Sequence, residues 1–238
     1  MENLPFYINI GFVLITLLTV WLFYKATNYS KLVVIIIAAW LVIQAIISLT
    51  GFYTDTKTIP PRFLLLVLPP IFLIILLFTT NKGRMFIDNM NVKTLTLLHA
   101  IRIPVELILF GLFINKTIPQ AMTFEGSNFD ILSGLTAPFI YYFGFVKKTL
   151  DKKILLAWNF ICLALLINIV ATAILSAPFT FQKLAYDQPN IAILYFPFVW
   201  LPCCIVPIVL LSHLVSIRQL YKRSEKTSNY SAPARALS

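Results

Sequence analysis

Apolar runs of about 20 residues recur along nearly the whole chain, and they restrict its fold more than any other feature. The runs do not alternate between apolar and polar residues, as LVVIIIAAWLVI illustrates, and this excludes the strands of a membrane β-barrel. A chain of 238 residues that is 59% hydrophobic and 12% charged has too much apolar surface for a water-soluble domain. The sequence therefore predicts an all-α integral membrane protein.

Seven segments are long and apolar enough to cross a bilayer as helices. In chain order they cover residues 5–24, 32–52, 61–80, 94–115, 128–146, 154–176 and 191–216. We therefore expect residues 1–220 to form one seven-helix transmembrane bundle. Residues 221–238 are polar and basic at their start, so we expect them to form a disordered cytoplasmic tail.

Lysine and arginine residues are concentrated in every second connection between these segments. The connections after the first, third and fifth segments, together with residues 217–238, hold 14 of the 19, whereas the other connections, counted with the adjoining Arg62, hold 4. Cytoplasmic loops of membrane proteins carry the excess of these cations, so the N-terminus is predicted outside and the C-terminus in the cytoplasm. A bacterial inner membrane or another cell membrane is the expected location.

The formal net charge of +10 does not indicate a nucleic-acid partner, because the cations lie in short connections between apolar runs. Cys162, Cys203 and Cys204 lie inside apolar runs and give no disulfide framework. No GxxxG, P-loop, HExxH or CxxC motif identifies a family. The expected partners are the lipid bilayer and a small solute or protons, and the sequence leaves the oligomeric state open.

The fourth segment differs from the others because charged residues lie in its interior. His99, Arg102 and Glu106 fall within about 60° of one another on one helical face. An arginine at mid-bilayer costs about 2.5–3.5 kcal/mol, so such a face usually points into the bundle or a wet cavity. The i,i+4 spacing of Arg102 and Glu106 predicts an ion pair, which serves either as a proton or solute site or as a structural link between helices.

Other polar residues are candidates for the same interior. Asn168 and Thr172 share a face of the sixth segment, and Gln44 lies within the second. These side chains either form hydrogen bonds between helices or line a polar cavity together with Arg102 and Glu106.

The outer connection that follows the fourth segment carries two acidic candidates, Glu125 and Asp130. Asp130 falls in the first turn of the fifth segment, where the helix dipole favours an anion. It is therefore either a capping carboxylate or a contact to a ligand or gate.

Two histidines are expected at a similar depth near the cytoplasmic face. His99 lies six residues after Lys93, and His213 lies five residues before Arg218. If their helices are neighbours, the pair could ligate a haem or a metal. The simpler interpretation is a pair of hydrogen-bonded interior histidines, and no cofactor is expected.

The functional hypothesis is transport or sensing of a small solute at the polar face of the fourth segment. Glu106 is the expected titrating group, and Arg102 is its counter-charge. The alternatives are a membrane-embedded enzyme or haem protein, and a non-catalytic subunit of a membrane complex. An enzyme would require a cluster of nucleophile, base or metal ligands, and the sequence offers only the histidines with scattered polar groups.

Overall fold

A computed structural model describes the backbone of residues 4–231 and the side chains of residues 4–222. These residues form nine α-helices and contain no β-strand, which confirms the all-helical prediction. The helices are α1 Phe6–Ala26, α2 Lys31–Leu49, α3 Leu64–Thr79, α4 Asn81–Asp88, α5 Val92–Leu98, α6 Arg102–Ile114, α7 Ile131–Tyr141, α8 Lys152–Leu175 and α9 Val206–Ser231. Because residues 232–238 and the side chains beyond Lys222 lie outside the description, the disordered tail stays a prediction.

Among the described residues, five helical segments are long and apolar enough to cross a membrane. Two of them are composite: a short 3-10 turn joins α5 to α6, and a π-helical turn leads into α9. A sixth crossing is added if α3 and α4 count as one span, and Ile131–Val146 is a shorter apolar helix. The five segments are Phe6–Ala26, Lys31–Leu49, Val92–Ile114, Lys152–Leu175 and Leu201–Lys222.

The chain bends by 92° between α3 and α4. The hydroxyl of Thr80 accepts a hydrogen bond from the backbone N–H of Gly83 at 3.1 Å and so caps the second helix. A Cβ on Gly83 would lie 2.6 Å from the Cα of Leu77, so only glycine allows the two helices to meet this closely.

The last long helix begins at Leu201 and not at residue 191 as the apolar pattern predicts. Residues Ala192–Leu194 form a separate 3-10 turn. Proline disfavours helical backbone in the residue before it, so Pro197 prevents a helix from running through this apolar stretch, whereas Pro202 falls in the first turn of the new helix. Pro207 frees the carbonyl of Cys203, and the indole N–H of Trp40 on α2 donates to it at 3.1 Å.

Parts of the outer surface of the bundle are apolar, unlike the surface of a water-soluble protein, and several polar residues lie in the interior. In α2, the buried residues are Leu41, Gln44 and Ser48, and in α1 Thr16 and Thr19 are fully buried. Large apolar side chains of the same two helices are exposed, among them Leu14, Leu17, Leu18, Ile35, Ile36, Val42, Ile43, Ile46 and Leu49. An apolar outside over a partly polar inside is compatible with a membrane location.

Long-range hydrogen bonds show that every second connection between the long helices lies at the same end of the bundle. The backbone N–H of Asn91 donates to the carbonyl of Ala26, and the amide of Gln219 donates to the carbonyls of Ile87 and Met90. The connection after α1, the connection before α5 and the end of α9 therefore meet. At the opposite end, the N–H of Ile191 donates to the carbonyl of Thr117.

An acidic residue connects α4 to α9 at the first of these ends. The carboxylate of Asp88 accepts hydrogen bonds from Arg218 at 2.8 and 3.2 Å and also pairs with Lys222. These hydrogen bonds, chiefly the one from Arg218, lower the pKa of Asp88 below its ordinary value of 3.8. Because the folded-state pKa is lowered, this contribution to stability is present above pH 4 or so and is lost as the pH falls.

Replacing Asp88 with Asn should lower the free energy of unfolding by about 1 kcal/mol or less near neutral pH, because the pair is partly exposed. The difference between variant and wild type should shrink as the pH falls below about 4. Thermal unfolding in detergent over a pH series measures both effects. Asp187→Asn, at an exposed position, is the matched control, and an equal loss in that variant would contradict the role of Asp88.

Candidate functional site

The helix Val92–Ile114 lies between α1, α7 and α9, and its buried face carries three ionisable side chains. His99, Arg102 and Glu106 are each at most 3% exposed, as expected from their shared helical face. Arg102 lies ten residues into this 23-residue helix, so at about 1.5 Å per residue the guanidinium group is close to the middle of the bundle.

The guanidinium group of Arg102 contacts three neighbouring segments. Its Nη1 lies 2.8 Å from the Oδ1 of Asp130, which immediately precedes α7, and 3.3 Å from the carbonyl of Cys162 on α8. Its Nη2 lies 3.2 Å from the Nε2 of His213 on α9. A single side chain therefore ties α6 to α7, α8 and α9 through charge-assisted contacts in a buried environment.

Close packing of α7 brings the carboxylate of Asp130 to this position. Gly134 lies one turn further along α7, and a Cβ there would be 2.9 Å from the backbone nitrogen of Ile103. Any larger residue would push α7 away from α6 and lengthen the ion pair. The pairing differs from the predicted one, because among the described residues Arg102 forms its ion pair with Asp130 and not with Glu106.

Glu106 is held by an amide. The Nδ2 of Asn128 lies 2.7 and 2.8 Å from the two carboxylate oxygens of Glu106, and 3.0 Å from the carbonyl of Met122. The Oδ1 of Asn128 accepts from the backbone N–H of Asp130 at 3.0 Å. Asn128 thus fixes the carboxyl group of Glu106 and the residue that pairs with Arg102 in one local structure.

The two histidines stack on each other. The ring centroids of His99 and His213 are 3.9 Å apart with an interplanar angle of 17°, and Trp158 packs edge-on against His99. The Nε2 of His213 accepts from Arg102, so its Nδ1 carries the hydrogen and donates to the Oδ1 of Asn159 at 3.0 Å. These bonds fix one neutral tautomer of His213. Within residues 4–222, neither ring nitrogen of His99 has a hydrogen-bond partner.

This arrangement does not fit bis-histidine haem ligation. Axial ligands reach the iron from opposite faces of the macrocycle, whereas stacked rings at 3.9 Å leave no room for a haem between them. Both nitrogens of His213 are also engaged in hydrogen bonds. No group of three His, Cys, Asp or Glu side chains suited to a metal ion occurs among the described residues.

His99, Arg102, Glu106, Asp130 and His213 form one cluster, and a cavity of about 60 Å³ lies beside it. Arg102, Glu106 and Asp130 line it, together with apolar residues of α8 and α9. The volume exceeds the roughly 10–15 Å³ that one water molecule needs. The exposed surface of the cavity is almost entirely apolar, because the charged groups point mainly toward one another.

The remaining predicted residues lie elsewhere. Asn168 is exposed and donates to the carbonyl of Ser127 at 3.1 Å, whereas Thr172 is buried outside the cavity lining. Gln44 is buried on α2, where its side-chain oxygen accepts a hydrogen bond from the hydroxyl of Tyr53. Glu125 is exposed in the connection before α7. The structure thus brings His99, Arg102, Glu106, Asp130 and His213 together, and it leaves Asn168, Thr172, Gln44 and Glu125 outside.

Sequence reasoning missed the amide residues that orient the cluster. Asn128 was considered only as the start of a crossing, although an Asn two residues before an Asp at a helix start is typical of a side-chain-capped turn. The hydrogen bond between His213 and Asn159 depends on how α8 packs against α9, which the sequence does not show.

Comparison with known proteins assigns the chain to a family. A family model matches residues 59–221, which is more than half of the chain. The chain belongs to the family described as Domain of unknown function (DUF8737). The range matched by the DUF8737 model contains every residue of the cluster and leaves out α1 and α2. No curated protein and no solved structure matches the chain.

The pairing of Arg102 can be tested by charge-removal variants. Arg102→Met leaves Asp130 buried without its counter-charge, and it should cost on the order of 3–5 kcal/mol of stability. Adding Asp130→Asn should recover a large part of that loss, because no uncompensated charge then remains at the pair. Thermal unfolding in detergent measures the recovery.

The matched comparison combines Arg102→Met with Glu106→Gln, which leaves Asp130 unpaired and should recover little. Greater recovery in this second double variant than in the first would show that Glu106, and not Asp130, is the electrostatic partner.

Proposed function

We propose that this protein crosses a membrane seven times, with its N-terminus outside. We also propose that the buried cluster around Arg102 takes up and releases a proton during transport or sensing of a small solute. The five long apolar helices supply five of the crossings. The helix α3, from whose end α4 bends away, and the shorter helix Ile131–Val146 supply the other two.

The apolar outer surface of the bundle supports the membrane location. Lipid is the solvent in which exposed isoleucine and leucine faces over buried threonine and glutamine residues are stable. The meeting of the connections after α1 and before α5 with the end of α9 supports the proposed topology, because basic residues flank all three. Lys25 and Lys31 lie beside the first connection, Lys93 lies beside the second, and Arg218 and Lys222 lie near the end of α9.

The observation that carries the function is an unequal number of buried charges. Arg102 supplies one cation, whereas Asp130 and Glu106 supply two carboxyl groups, and all three are at most 5% exposed. His213 accepts a hydrogen bond from Arg102 and so adds no charge. If both carboxyl groups are ionised, one buried negative charge stays uncompensated, which is costly in a medium of low dielectric constant. Binding of one proton or one other cation removes it.

Glu106 is the better candidate for the exchangeable proton. Asp130 contacts the guanidinium group directly at 2.8 Å, and this stabilises its ionised form. Within the part of the chain that the structure describes, Glu106 has only the neutral amide of Asn128 as its hydrogen-bond donor. The carboxyl group of Glu106 therefore loses less electrostatic stabilisation on protonation than that of Asp130 does.

The backbone near the cluster is irregular, which supports a site that changes conformation. A 3-10 turn at His99–Ile101 interrupts the α-helix one residue before Arg102, and Pro104 follows within the next turn. Such interruptions in long helices often mark hinges. A proton on Glu106 would thus alter the packing of α6 against α7, and both carboxyl groups border the adjoining cavity.

The protonation of Glu106 can be measured without knowing the solute. Infrared difference spectra of the protein in liposomes, recorded over a pH series, should show the C=O stretch of a buried carboxylic acid that disappears on titration. Glu106→Gln should remove this band, and Glu125→Gln, the same change at an exposed position, should keep it. An unchanged band in the Glu106 variant would refute the proposal.

Coupling to a solute is the second part of the test. In liposomes that contain a pH-sensitive dye, a panel of small amines, carboxylic acids and sugars should include a compound that drives proton movement through the wild type. Glu106→Gln should abolish that movement while thermal unfolding shows a folded protein. Equal proton movement in the variant would leave the cluster with a purely structural role.

The topology makes a separate prediction. Single cysteines at Ser127 and Lys148, both exposed positions, should react with a membrane-impermeant reagent from opposite sides of the membrane. Position 127 should react from the outside and position 148 from the cytoplasm. The three natural cysteines are buried, so they should contribute little background. Reaction of both positions from the same side would contradict the seven-crossing arrangement.

A further inference from the structure

A second and larger cavity adjoins the one beside the charged cluster. It has a volume of about 320 Å³ and lies between α3, α8 and α9. Five residues line both cavities, so the two are neighbours separated at most by these side chains. The shared residues are Leu166, Val170, Ala173, Leu201 and Val206.

The larger cavity has no ionisable side chain in its lining, and it matches the lower end of the size range of small-molecule pockets. Its walls come from aliphatic residues, two prolines and one aromatic residue, Phe63. An aromatic face attracts cations as well as apolar groups. The cavity therefore suits an apolar molecule and tolerates a diffuse positive charge.

The charge of the neighbouring cluster decides between classes of occupant. The two carboxyl groups exceed the one cation, so an ionised Glu106 makes the region beside the apolar cavity negative by one unit. An anionic molecule would be repelled, and a neutral one would gain nothing from the charge. A positively charged apolar molecule restores neutrality, because opposite charges attract strongly where the dielectric constant is low.

From these contacts, and resting on the proposed function, we propose that the paired cavities bind a lipophilic monovalent cation. Its apolar groups occupy the space between α3, α8 and α9, and its charge compensates the carboxylate of Glu106. The cation and a proton then compete for one negative charge, so binding of the cation releases one proton. The charged groups that act on this exchange are Arg102 on the same helix and Asp130 at the start of α7.

Of the described residues, no Asp, Glu, Lys or Arg other than Arg102, Glu106 and Asp130 lines either cavity. Lys25 lies in the last turn of α1, at the end where the carbonyl of Ala26 meets Asn91. Lys152 and Lys153 lie in the first turn of α8, many residues before the cavity lining begins at Leu166. The exchange therefore depends on Glu106 alone, with the Arg102–Asp130 pair as a constant background.

Binding of tetraphenylphosphonium to the purified full-length protein tests the proposal, and benzyltrimethylammonium serves as a smaller probe. Calorimetry in two buffers of different ionisation enthalpy should show about one proton released per cation bound. The apparent Kd should rise by up to about tenfold per pH unit on acidification, because the proton is a competing ligand. Tetraphenylborate, which has a similar shape and the opposite charge, should not bind.

Two variants separate the charge from the apolar space. Glu106→Gln should abolish the proton release and weaken cation binding at least tenfold, and Glu125→Gln should change neither. Val67→Phe, which adds bulk to the apolar cavity alone, should weaken binding and leave the carboxylic acid band of Glu106 in place.

The outcomes distinguish this inference from the proposed function. A titrating Glu106 without binding of either cation would overturn the inference and leave the proton site standing. Equal binding of the phosphonium and the borate, or binding that does not depend on pH, would show an apolar or lipid site without charge selection. Absence of the Glu106 band would overturn both proposals.

Discussion

A buried guanidinium group has no stable form without compensation, and the centre of this protein is arranged around that requirement. Arg102 cannot lose its proton under physiological conditions, so its charge must be met by neighbours. Asp130 compensates the charge of Arg102, and the carbonyl of Cys162 and the ring of His213 accept hydrogen bonds from its two terminal nitrogens. These contacts come from three different segments, and the relative positions of α6, α7, α8 and α9 therefore depend on one side chain.

This dependence extends into the connection before α7. To bring Asp130 against Arg102, the chain before α7 must turn inward. Asn128 stabilises that turn by bonding both to Glu106 and to the backbone of Asp130. The same few residues thus fold the connection and place a second carboxyl group near the arginine. The excess negative charge is a consequence of how the turn is built, and the structural and the proposed functional roles share their residues.

The sequence was sufficient for the helical class and for the face that carries His99, Arg102 and Glu106, because both follow from periodicity within one helix. It was insufficient for the partner of Arg102. Spacing of four residues favoured Glu106, whereas the ion pair depends on the approach of α7, which glycine at 134 permits.

Asn168 lies outside the site for a related reason. Its depth could be counted from the helix start, but the direction of its face depends on neighbouring segments. The start of the last long helix was placed ten residues too early because apolar character continues through Pro197.

The 92° bend after α3 has a consequence for the surrounding lipid. With 16 residues, α3 is about 24 Å long, whereas the hydrocarbon core of a typical bilayer is about 30 Å thick. The helix Ile131–Val146 has the same length. A crossing that is too short by this amount is accommodated by local thinning of the bilayer, at a fraction of a kcal/mol per Å. Hydrophobic mismatch would then favour membranes with a thin hydrocarbon core as the place where this protein resides.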